Sequence, residues 1–129
     1  MSIQAYENNT VETASQGELV LKLYNGCIKF IKASGKAMEN NDIEKKNLNI
    51  QKAQRIVQEL IITTDPSYDI SQQILPLYEY MNRRLLEANT KNDREILDEV
   101  RGLAEEFRDT WKEVLIQTRK AEYSKGGNV

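Results

Sequence analysis

The chain has 129 residues, 40% hydrophobic and 29% charged, with a formal net charge of −2 and no histidine. That length supports one domain with its own core, without disulfide or metal staples. The missing histidine removes the commonest general base and the usual zinc or iron ligand; the dispersed lysines and arginines form no basic stripe of the kind nucleic-acid binders carry; and the short apolar runs cannot cross a bilayer. One cysteine, Cys27, cannot form an internal disulfide, which fits a reducing cytoplasm. The opening MSIQAYENNT has neither the basic nor the apolar region of a signal peptide.

In chain order, residues 1–14 are polar and carry no sustained period, so an extended or loosely ordered arm is expected there. SQGE at 15–18 fits a capping box, in which Ser15 accepts from the Glu18 N–H and the Glu18 carboxylate reaches back. The first helix should start there and run to about residue 39. At about 100° per residue it gathers Lys22, Asn25, Gly26, Lys29, Lys32, Ala33 and Lys36 into an arc of roughly 120°. Nearly everything else on it is apolar. One heptad stripe holds Leu21, Tyr24, Ile28, Ile31 and Met38, with Gly35 in register; the other holds Val20, Leu23, Cys27, Phe30 and Ala37. One can face a core. The other needs the flank of a further helix, the arm or a partner.

The second helix, 43–64, places Ile43, Ile50, Ala53, Val57, Leu60 and Ile61 at spacings of three, four and seven. Pro66 in TDPSYD ends it. The third, 70–89, lines up Ile74, Leu77, Tyr78, Met81, Leu85 and Ala88, with Pro76 near its start. Asn92 followed by Glu95 suggests a second capping box. The fourth helix shows Ile96, Val100, Leu103, Phe107, Trp111 and Val114, flanked by Leu97 and Ala104. Arg94, Arg101 and Arg108 repeat every seven residues opposite this stripe and read as a solvated face, supported by the pairs Asp98–Arg101, Glu105–Arg108 and Asp109–Lys112. Helices of this length with short turns predict an all-α, antiparallel up-down-up-down four-helix bundle over 15–120, with the N-terminal arm 1–14 before it and a frayed tail 121–129 after it.

Di-iron bundles need inward carboxylates and Glu-x-x-His motifs, which are absent. No glycine-rich phosphate loop follows a strand, and Cys27 reads as a small buried hydrophobe. No catalytic residues, cofactor or metal site are expected, which leaves binding. Leu48 and Ile62 sit opposite the apolar stripe of the second helix. Leu75 and Leu86 sit to one side of the stripe of the third, in line with Asn82 and Asn89. Apolar residues rimmed by polar ones suggest a groove for an amphipathic helix. Homodimerisation of a structural or scaffolding bundle is the other use of such a surplus.

TASQGELVLKLYNGCIKFI from Thr13, RRLLEANTKND from Arg83 and EEFRDTWKEV from Glu105 closely resemble the FliS family of bacterial flagellar export chaperones, over nearly the whole chain. The resemblance implies a cytoplasmic, non-enzymatic chaperone that binds the disordered C-terminal segment of flagellin, blocks premature filament assembly and aids delivery to the type III export apparatus. Coupled folding and binding lets such a client wrap a large surface. Export-gate and flagellin regulatory proteins are implied as further partners; nucleic acid and membrane insertion are not, and a monomer or weak homodimer is expected. The family's Ile-x-x-Tyr motif matches Ile3 and Tyr6, with Val11 at the family spacing, and implies client binding or a displaceable lid. With these, the candidate partner-binding set is Ile3, Tyr6, Val11, Leu23, Leu48, Ile62, Leu75 and Leu86. Gln16 stands where relatives often have proline, and Lys22 where they commonly have methionine. The latter makes Lys22 a poor client contact.

Overall fold

The computed structural model describes the backbone of residues 9–127 and the side chains of residues 16–121. Four helices follow one another: α1 (Asn9–Glu39), α2 (Ile43–Thr63), α3 (Asp69–Lys91) and α4 (Arg94–Gly127). Each packs on its sequence neighbours, and α4 returns against α1, which closes the ring of an up-down-up-down bundle. No strand occurs among the described residues.

α1 begins six residues before Ser15. Residues 15–18 are therefore helix interior, not a cap. At residues 17 and 18 this part of α1 meets α4. The Trp111 indole Nε1–H donates to Gly17 O at 2.8 Å, and Arg119 approaches Glu18 at 3.7 Å. A Cβ on Gly17 would stand 2.8 Å from Leu115 Cδ2, so any larger residue there would push the Leu115 side chain aside.

Asparagines shape two of the turns. Asn41 has φ 56°, with Asp42 N–H bonded to Ala37 O and Asn41 N–H to Met38 O. That is a Schellman ending with asparagine in the left-handed position. Asp42 then caps α2, its Oδ1 accepting from Lys45 N–H at 3.1 Å. The expected Asn92–Glu95 box does not form. Asn92 has φ 53° and ends α3, whereas an N-cap needs an extended backbone. Asp93 takes the capping role, accepting from Glu95 N–H at 2.9 Å. Between α2 and α3, Asp65 Oδ1 accepts from both the backbone N–H and the hydroxyl of Ser67, which fixes the turn around Pro66. Pro76 lies inside α3, two turns in, on an exposed face.

The core takes Tyr24, Cys27, Ile28 and Ile31 of α1, Ile50, Ala53, Val57 and Leu60 of α2, Tyr78, Met81, Leu85 and Ala88 of α3, and Ile96, Leu97, Val100 and Ala104 of α4; on α4 the expected flank residues Leu97 and Ala104 are fully buried, while Leu103, Phe107 and Trp111 of the expected stripe are only partly so. Truncating a fully enclosed leucine such as Leu85 to alanine costs about 2–5 kcal/mol. Towards the α2–α3 turn, Phe107 stacks on Tyr24 and meets the edge of Tyr78, with ring centroids 6.1 and 5.6 Å away. The Tyr24 and Tyr78 hydroxyls satisfy one another inside this apolar cluster.

Four further positions depart from the stripes. Ile43 is exposed, and Lys46 takes the core-facing place instead. Its Nζ donates to Asn89 O and Asn92 Oδ1, each at 3.1 Å. The lysine stem packs inside while its charge meets the carbonyl end of α3. Leu77 and Val114 stay partly in solvent. Arg94 is not a solvated row member, because its guanidinium donates to Gly35 O at 3.0 Å and to Glu39 at 2.7 Å. Of the expected i,i+3 pairs, Asp98–Arg101 forms at 3.8 Å, while Arg108 turns to Asp109 at 3.0 Å.

Candidate functional site

The doubly apolar face of α1 is closed largely by the bundle. Cys27 and Ala37 are buried; Val20, Leu23 and Phe30 are half-buried. Ile56 of α2 stands 3.1 Å from where a Cβ on Gly26 would be, and Lys52 of α2 lies over the Phe30 ring. Leu23 and Leu75 thus pack in part against the core and present only an edge to solvent. Leu48, Ile62 and Leu86 are 51%, 66% and 58% exposed. Ile3 and Tyr6 lie outside the described residues. Val11 falls in the α1 backbone, and its side chain is outside the described set.

Leu75 and Leu86 lie on the α2-facing side of α3 in line with Asn82 and Asn89, whereas Leu48 and Ile62 lie on the outer face of α2, opposite its buried Ile50, Ala53, Val57 and Leu60. The Lys46–Asn89 bond sets the antiparallel register. By equal helical rise, Asn47 is then level with Asn89, Gln54 with Asn82, and Ile61 with Leu75. Leu86 thus sits towards one end of the seam and Leu75 at the other. Between them the seam is amide-lined, and the buried Asn82 Oδ1 and Asn89 Oδ1 find no hydrogen-bond donor. Such unmade bonds weaken the seam relative to a fully satisfied one.

The α3–α4 seam is the opposite case. Glu99 accepts from Tyr80 Oη and from Arg84 Nε at 2.8 Å; Glu87 accepts from Arg84 Nη1 at 2.6 Å and from Lys91 Nζ at 2.8 Å. Hydrogen bonds from Tyr80 and Arg84 hold the Glu99 carboxyl below its ordinary value, and those from Lys91 and Arg84 do the same for Glu87. This seam is latched by charge, whereas the α2–α3 seam carries apolar side chains and unused amide capacity.

A second apolar group is one the sequence reading did not find. Leu19, Tyr68, Ile70, Leu77, Val114 and Ile116 are all exposed around the α2–α3 turn. Helix length accounts for Val114 and Ile116: α1 and α4 have 31 and 34 residues, α2 and α3 only 21 and 23. The longer pair outruns the shorter by roughly 15 Å at 1.5 Å per residue, so side chains there lose neighbours on one side.

Chemistry of other kinds is sparse among the described residues. No cluster of three His, Cys, Asp or Glu could hold a metal ion, and no helix is long and apolar enough to cross a membrane. Burial pushes the Cys27 thiol up to about 12, so it stays protonated. Burial and the Tyr78 hydroxyl likewise raise Tyr24 above its usual range.

Fold and surface together define a four-helix-bundle protein that leaves apolar side chains uncovered beside one seam, on the outer face of α2 and at one end. The chain belongs to the FliS family: the family model described as flagellar protein FliS matches residues 1–118. Over 123 residues it is 48% identical to the flagellar secretion chaperone FliS of Bacillus subtilis (strain 168), covering 95% of this chain and 92% of that one. It is 32% identical over 120 residues to the protein of the same name from Escherichia coli (strain K12), covering 88% of each. It is 34% identical over 103 residues to the flagellar secretion chaperone FliSB of Pseudomonas aeruginosa (strain ATCC 15692), covering 78% of this chain and 82% of that one.

Proposed function

We propose that the protein is a cytoplasmic, non-enzymatic export chaperone that binds the disordered C-terminal segment of flagellin, prevents premature polymerisation and aids delivery to the flagellar type III export apparatus. Family membership and the names of the relatives support the class. The exposure of Leu48 and Ile62 on the outer face of α2 and of Leu86 beside the α2–α3 seam supports the surface assignment, because the bundle core does not use them. Masking is the mechanism: an amphipathic client segment covers these side chains and hides its own polymerisation surface against them.

Magnitude says these side chains do not act alone. Burying the exposed parts of three such side chains is worth about 3–4 kcal/mol. That corresponds to roughly millimolar binding before the cost of ordering a disordered chain. The client therefore also engages the uncovered end around Tyr68 and Val114, and it meets or displaces the N-terminal residues Ile3, Tyr6 and Val11. Leu23 and Leu75 serve as edges of the surface.

Light scattering with and without a flagellin C-terminal peptide tests the reading. A monomer that forms a one-to-one complex is expected. A tight dimer indifferent to the peptide would replace it with the scaffolding alternative. Within the complex, Leu86→Asp should cut affinity while the bundle stays folded; unchanged affinity would remove the seam from the binding surface.

A further inference from the structure

Between Glu18 and Glu39, α1 carries four lysines and no acidic residue. Lys22, Lys29, Lys32 and Lys36 are all exposed on its outward arc. Lys22, Lys29 and Lys36 stand one heptad apart, a repeat of about 10.5 Å along the helix. The two acids that bracket them turn the other way. Glu18 faces Arg119 and Glu39 faces Arg94, both on α4.

α2 adds to this face instead of neutralising it. Lys52 Nζ lies 5.3 Å from the Phe30 ring centroid, and Lys29 Nζ lies 5.7 Å from the same centroid. Two ammonium groups from adjacent helices thus converge over one ring, with exposed Lys45 further along α2. Among the described residues none of these six lysines has a carboxylate within 4 Å; Glu44 and Glu59, the acids of α2, pair with none of them. On α3 and α4, by contrast, most of the described bases are paired, namely Arg84, Lys91, Arg94, Arg101, Arg108 and Arg119, while Arg83, Lys112 and Lys120 are not. A chain with 20 acids and 18 bases has enough carboxylates to neutralise this face, yet it keeps them elsewhere.

We propose that the lysine row of α1, with Lys52 and Lys45 of α2 at its edge, is a docking surface for an acidic protein helix; it borders the client residue Leu48 only through the two α2 lysines. The chemistry selects a helix with carboxylates once per two turns, since only that repeat meets Lys22, Lys29 and Lys36 together. A bilayer surface fits less well, because the arc from Lys22 to Lys36 holds Asn25, Gly26 and Ala33 and the exposed Leu19 and Leu48 stand singly at its borders, not as one continuous apolar face. A nucleic acid fits poorly as well: the ring on this face, Phe30, is half-buried beneath two lysines and offers no free face for base stacking.

The test uses the full chain and a synthetic helical peptide of about three heptads with one glutamate per heptad, against its glutamine twin. Binding is read by fluorescence anisotropy at low and moderate salt. The glutamate peptide should bind, the glutamine twin should not, and affinity should fall as ionic strength shortens the reach of the charges. The variant Lys22→Gln/Lys29→Gln/Lys36→Gln should keep its far-UV spectrum and melting temperature, lose about tenfold in affinity for the acidic peptide, and bind a flagellin C-terminal peptide as before. Equal binding of both peptides, no binding at low salt, or undiminished binding by the variant would overturn the proposal. So would stronger, lysine-dependent binding to phosphatidylglycerol vesicles or to single-stranded DNA. Because flagellin peptide affinity is read separately, failure here leaves the proposed function untouched.

Discussion

Replacing Lys46 with methionine keeps a buried aliphatic stem but deletes both bonds that its ammonium donates to the end of α3, to Asn89 O and Asn92 Oδ1. Bonds from a charged donor contribute about 1.5–3 kcal/mol each. The desolvation of an almost fully buried ammonium offsets a good part of that. The expected net loss is about 2 kcal/mol, or a fall of roughly 8 °C in melting temperature for a chain of this size. Urea unfolding followed by far-UV circular dichroism measures it, and the m-value should not change, since the same surface is exposed. Asn92→Gly gives the internal control. Glycine accepts the left-handed backbone at that position but supplies no side-chain acceptor. Alone it should cost about 1 kcal/mol; in the Lys46→Met background it should cost almost nothing. If Lys46→Met lies within about 0.5 kcal/mol of the parent, or if the two losses add in full, the amine does not clamp α2 to α3 as described.

Three further outcomes follow from other parts of the molecule. Glu99 and Glu87 have carboxyls held below their usual value of 4.5, so their contribution is present above that pH and is lost as pH falls through the lowered values; melting curves from pH 6 to 3 should therefore be flatter for Glu99→Gln than for the parent, and parallel curves would refute the latch. Cys27 is fully buried with a raised thiol, so a disulfide exchange reagent at pH 8 should label it only after denaturant is added; rapid labelling of the native protein would mean that this part of the core opens readily. Tyr6→Ala should weaken flagellin peptide binding, read by calorimetry, and shift the melting temperature little; a large stability loss with unchanged affinity would make the N-terminal residues structural.

The stripes of α3 and α4 were legible because their core positions are simply apolar at helical spacing: Met81, Leu85 and Val100 leave no competing interpretation. Lys46 was not legible. Its burial depends on the end of α3, 43 residues away, presenting carbonyls to it, and Ile43 looked like the better core residue on pattern alone. Asn92 and Asp93 are both good caps. Which of them takes the left-handed place is decided by the turn closing back onto Ala88 O. Leu48, Ile62 and Leu86 were readable as surplus because they face away from their own helix's stripe. Val114 and Ile116 were not, because their exposure arises from unequal helix lengths and not from any local pattern.

The chain holds a single tryptophan, and its indole N–H is tied to the carbonyl of a residue 94 positions earlier. Its ultraviolet emission therefore reports the join between the first and last helices, at the end of the bundle that also holds the α2–α3 turn. A red shift that precedes the loss of circular dichroism would mean that this join parts before the rest of the bundle melts. A blue shift or altered quenching on adding a peptide, with no dye attached, would show that the peptide reaches the end where α1 and α4 outrun their neighbours.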